Sequence, residues 1–171
     1  MLLLHLTPLL LVGGLMADAD LSSGPSPNDP TPALKAYAVA GAPKDQEVDY
    51  AKIRKDQATV FVFIETSRWN RSMFRFLKAL EERLGESDQV VAIWLTSDEV
   101  ESKNYLTKIA GYFQKTALGV AAVQNEVPKD WGINPDAGLT AVAAKKGKVV
   151  QSWGYRVPNE ADAKDVANAL K

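Results

Sequence analysis

The chain has no cysteine and a single histidine, His5, among its 171 residues. Without cysteine there is no disulfide, no thiolate nucleophile and no Cys-based metal site. His5 lies in an apolar N-terminal segment. If that segment is removed, neither Cys nor His remains, which excludes most nucleophilic and zinc chemistry. Charge of one sign is also lacking. With a net charge of −1 there is no polyelectrolyte face, and hence no sign of a nucleic-acid or anionic-membrane surface. No long transmembrane run occurs either. Leu2–Met16 is apolar but shorter than the roughly 20 residues a membrane helix needs, and it is interrupted by Thr7, Pro8 and Gly13-Gly14.

What the N-terminus does contain reads as an export signal. Leu2–Met16 is followed by Ala17-Asp18-Ala19, small residues at the positions a signal peptidase reads. Removal of residues 1–19 would place the protein in the periplasm or outside the cell. The alternative is an anchor retained in the membrane. After cleavage no membrane contact is expected. Residues 20–32, DLSSGPSPNDPTP, hold four prolines and no apolar pattern, and read as a disordered linker. A single domain is expected over residues 33–171.

The domain is organised around Thr59–Leu84. TVFVFI is a short apolar run rich in β-branched and aromatic residues, the pattern of a strand buried on both faces. Glu65-Thr66-Ser67-Arg68 turns the chain. Met73, Leu77, Leu80 and Leu84 then recur at helical spacing. Such a strand–turn–helix junction collects unpaired N–H groups at the positive end of a helix dipole.

The rest of the domain alternates in the same way. From Ala33, ALKAYAVAG reads as holding a short strand, followed by a turn with Pro43 and Asp45, another short strand around Glu47-Val48, and a helical turn at Asp49–Arg54. Gln89–Leu95 is a second buried strand. Asp98 can cap the helix after it, with Glu101 closing a capping box; Leu106, Ile109, Ala110 and Phe113 form that helix's apolar stripe. Leu118–Val123 is a third apolar run, and Pro128–Ile133 a single turn ended by glycine. Leu139–Ala144 and Val149–Trp153 flank Lys145-Lys146-Gly147-Lys148 as a β-hairpin, and Asn159 caps a last helix. The spacing predicts an α/β fold, β-β-α-β-α-β-α-β-α-β-β-α, with a mixed sheet and helices on both faces.

In this order and spacing the chain resembles the thioredoxin-like superfamily, and within it the redoxin branch of alkyl hydroperoxide reductase/thiol-specific antioxidant and thiol–disulfide interchange proteins. The resemblance runs from Ala33 to Lys171. It rests on ALKAYAVAGAPKDQEVDYAKIRKDQATVFVFI, VVAIWLTSDEVESKNYL, LGVAAVQNEVPKDWGI and LTAVAAKKGKVVQSWGY taken together. It implies a Trp-Cys-x-x-Cys motif, or one peroxidatic Cys, after the central strand. Here Trp69-Asn70-Arg71-Ser72-Met73 stands there, with Asn70 and Met73 at the two cysteine positions. An amide cannot cycle between redox states, and a methionine sulfoxide needs a separate reductase. The family's cis-proline before the hairpin strand is also missing. Leu139 occupies its place, where a cis bond would cost about 3 kcal/mol, so a trans bond is expected.

The reading is therefore an exported thioredoxin-like domain without redox cysteines, acting as a binding or scaffolding module. The expected binding residues are Arg68, Trp69, Asn70, Arg71, Met73 and Leu139, with Arg75 nearby. A protein or peptide is the expected partner at this face, since aromatic and guanidinium groups dominate protein-binding hot spots. No catalytic residue, cofactor or metal is expected. Asp98, Glu99 and Glu101 read as helix-capping acids, and Trp94, Tyr105, Tyr112, Phe113 and Trp131 as packing. A partner-dependent antioxidant subunit, or an enzyme of non-thiol chemistry, is the alternative.

Overall fold

A computed structural model describes residues 21–84 and 89–171. The segment read as a signal peptide lies outside the described residues. Seven strands form one sheet: β1 (Lys35–Ala40), β2 (Gln46–Asp49), β3 (Thr59–Glu65), β4 (Val90–Thr96), β5 (Thr116–Ala122), β6 (Leu139–Lys145) and β7 (Lys148–Tyr155). Their order across the sheet is β2-β1-β5-β4-β3-β6-β7. β3, β4 and β5 are parallel, as their helical crossovers require, while β1, β2, β6 and β7 join antiparallel.

Period-2 alternation sends each strand's side chains to two separate cores. Val60, Val62 and Ile64 of β3 pack with Ala92 and Trp94 of β4 beneath α2 (Arg71–Leu84), α3 (Glu99–Ile109) and α5 (Glu160–Asn168). Phe61 and Phe63 point the other way. They pack on Trp131, with ring centroids 5.2 and 4.8 Å apart, beside α1 (Tyr50–Ile53) and α4 (Val127–Asp130). The expected element order and two-sided layering are both present.

Capping is distributed differently from the sequence expectation. The Asp98 carboxylate accepts from the Glu101 N–H at 2.9 Å, but Glu101 does not close a box. The Asp98 N–H is already donated to Thr96 Oγ1 at 3.0 Å. The box forms instead on α5, where Asn159 and Asp162 bond reciprocally. α3 also stops at Ile109, so Phe113 reaches the core from beyond a 3-10 turn.

The largest correction concerns residues 21–32. Instead of a disordered linker, they form an ordered strap along β7. Leu21 N–H donates to Gly154 O, Asn28 N–H to Val149 O, and Val149 N–H returns to Asp29 O, at 2.8–3.0 Å. Ser23 is buried, its hydroxyl 2.6 Å from Thr140 Oγ1 and accepting from the Asn134 N–H at 2.9 Å. Gly24, with φ +94°, lies where a Cβ would meet Ser152 Cβ at 2.7 Å. Proline-rich composition misleads here because the strap is held through main-chain groups and two small hydroxyls, with little apolar burial.

Candidate functional site

The junction after β3 is built as a ridge. Glu65 N–H donates to Gly138 O at 3.1 Å, ending the strand, and a 3-10 turn covers Thr66–Arg68. Thr66 Oγ1 ties the turn to Leu95 O at the end of β4, at 2.7 Å. The Glu65 carboxylate accepts from Ser67 Oγ at 2.5 Å and lies 3.7 Å from Arg68 Nε. Arg68 also donates to Asp136 O at 2.5 Å, bracing the loop before β6.

The predicted binding residues separate into two groups. Arg68 and Arg71 are exposed and Trp69 is half-buried. Asn70 serves as the helix cap: its Oδ1 accepts from Ser72 N–H at 2.9 Å and Met73 N–H at 3.2 Å, and its Nδ2 donates to Arg68 O. Met73 and Leu139 are fully buried in the core under α2 and offer no surface to a ligand. A Cβ at position 138 would stand 2.6 Å from the Arg156 backbone oxygen and 2.6 Å from Met73 Cε, and the backbone oxygen is the contact that excludes it. The Gly138–Leu139 bond is trans, as expected; among the described residues the cis bond precedes Pro43. Arg75 does not join the cluster, pairing instead with Glu160 of α5 at 3.7 Å.

Cavities lie on both sides of the ridge. One of about 460 Å³ has Phe63, Leu95, Val123, Pro128 and Ile133 in its wall, with Arg68 at its margin. The other, about 310 Å³, lies between the ridge and α3, bounded by Trp69, Trp94, Tyr105, Glu65, Asp98 and Glu101. Trp69 Nε1–H donates to Tyr105 Oη at 2.7 Å, and the Trp69 ring meets Trp94 edge-on at 4.9 Å. Trp94 is 1% exposed, and its buried indole N–H has no acceptor among the described residues. Tyr105 and Tyr112, read from sequence as packing, are 39% and 63% exposed. From sequence, Asp98 and Glu101 carry only a capping role. Nothing in one dimension joins residues 69, 94 and 105.

Seven strands in this order, a helix sprung from the end of the central strand and a closing hairpin with its helix define a thioredoxin-like fold. The solved structures it is similar to include thioredoxin-like redoxin proteins. They include the exposed lipoprotein thioredoxin Etrx1 of Streptococcus pneumoniae, with a TM-score of 0.59 and 13% identity over 80% of this chain and 99% of that one. A DsbF homologue from Corynebacterium diphtheriae gives 0.60 and 16% over 83% and 87%. Peroxidoxin BcpB of Mycobacterium tuberculosis gives 0.61 and 13% over 84% and 95%. No protein-family model and no curated protein sequence matches the chain. The similarity therefore lies in the fold, and the chain brings no cysteine to it.

Proposed function

We propose that this is an exported, non-catalytic binding module that holds a segment of polypeptide against the ridge where redoxins place their cysteines. The observation that carries the reading is the reuse of both cysteine positions. Asn70 is consumed as a helix cap and Met73 as core, while Trp69 and the apolar cavity beside Arg68 stay open to solvent. Neither position carries a reactive group here, and the exposed surface beside them is left for recognition on this reading. The aliphatic wall of the larger cavity fits apolar side chains, and Arg68 fits a backbone carbonyl or a carboxylate. Export is supported by the apolar leader and by the exposed lipoprotein thioredoxin among the similar structures.

The reading is tested with the full chain produced in its native host. Mass spectrometry should find the N-terminus near Asp20, and an intact Met1 would contradict cleavage. Envelope proteins crosslinked to a photoreactive group at Val123 should be lost when Arg68 and Ile133 are both replaced by Ala in a folded variant. Equal crosslinking by the two forms would remove the larger cavity from the function. Turnover of a peroxide or a disulfide by the purified chain would overturn the non-catalytic reading.

A further inference from the structure

The smaller cavity differs chemically from the larger one beside Arg68, and its ligand chemistry is independent of the polypeptide reading. Its walls combine three aromatic residues from three elements: Trp69 before α2, Trp94 on β4 and Tyr105 on α3. Among the described residues its charged lining side chains, Glu65, Asp98 and Glu101, are all acidic. Two of these acids are already engaged. Glu65 is bound to Ser67 and faces Arg68, and Asp98 caps α3. Glu101 is exposed, and among the described residues its carboxylate has no ion-pair or hydrogen-bond partner.

Aromatic faces attract cations through the ring quadrupole, and a nearby free carboxylate adds to that attraction. Among the lining residues, Trp94 contributes a buried donor that lacks an acceptor among the described residues, which is unfavourable. Trp69 covers Trp94, its outer edge fastened to the Tyr105 hydroxyl. A ligand oxygen brought to the Trp94 N–H would supply the acceptor it lacks. We propose that this cavity is a binding site for a small organic ammonium ion bearing a hydroxyl or carbonyl oxygen. The cationic head lies among Trp69, Tyr105 and the Glu101 carboxylate, and the oxygen accepts from Trp94 Nε1–H.

Choline and its uncharged carbon isostere, 3,3-dimethylbutan-1-ol, isolate the role of the charge. Each is titrated into the full ¹⁵N-labelled chain while the indole N–H resonances of the four tryptophans are followed by NMR. The expected result is saturable shifts of the Trp69 and Trp94 signals with choline, Trp131 and Trp153 staying still, and binding of the isostere weaker by about tenfold or more. Glu101→Gln, an exposed isosteric change, should weaken choline severalfold and leave the isostere unaffected. Equal affinity for the two probes, shifts confined to other tryptophans, an unchanged Glu101→Gln titration, or no saturation by choline would each overturn the assignment.

Discussion

The first turn of α2 and the cavity wall beside it meet at Trp69, and they treat their polar groups in opposite ways. In the turn Asn70 and Met73 are committed to structure: Asn70 caps two N–H groups, and Met73 is buried in the core. Across Trp69, the wall leaves the Trp94 N–H without an acceptor and the Glu101 carboxylate open to solvent. Structural sites close their hydrogen-bond inventory, whereas binding sites keep part of it open for a ligand to complete. The place where a redoxin would keep its reactive groups is here the most self-contained part of the ridge.

The contrast can be broken first at Met73. Met73→Ala would leave a cavity in the core and should cost about 2–5 kcal/mol in urea unfolding, with Met73→Leu costing less than about 1.5 kcal/mol. A cost near zero for the alanine variant would mean that the turn is not locked. Asn70→Ala removes the cap of α2 and should cost about 1 kcal/mol, most of it regained by Asn70→Asp or Asn70→Ser. On the open side, Tyr105→Phe removes one half-exposed hydrogen bond. It should lower stability by no more than about 1 kcal/mol while altering Trp69 fluorescence. Glu101→Gln should be the smallest of all in stability, within about 0.5 kcal/mol, because its side chain supports nothing. A large loss there would make Glu101 structural and erase the difference between the two flanks.

Much of the fold was legible because each element announces itself by its own period. TVFVFI, a continuous apolar run of strand length, gives way to Met73, Leu77, Leu80 and Leu84 at period 3.6, and β3 and α2 lie where that change occurs. The candidate site was legible only in part. Trp69 and Arg68 line the cavities, but Met73 and Leu139 are singled out by position in a motif, and position does not report burial. Their apolar character is the available signal: a Met and a Leu in periodic apolar runs belong to the core. Arg75 is near the loop in sequence, although the helical turn carries it toward α5. The smaller cavity was invisible because its walls come from three separate elements, with Trp69 and Tyr105 alone 36 residues apart. The strap escaped notice because backbone hydrogen bonding leaves no mark on composition.

That strap also bears on how the edges of the sheet are kept from pairing. A sheet has two lateral edges, and a bare one is a template for pairing with another molecule. On one side β2 is only four residues long, and its Gln46 and Glu47 are exposed. The opposite edge, β7, is eight residues long and includes Val149, Val150 and Trp153, and it is there that Leu21, Asn28, Asp29 and Thr31 occupy the backbone groups of Gly154, Val149 and Gly147. A version trimmed to start at Ala33, where the hydrophobic pattern begins, would uncover these groups together with the Thr140 hydroxyl. Such a fragment should associate edge to edge as its concentration rises, and a chain that keeps residues 21–32 should stay monodisperse under the same conditions.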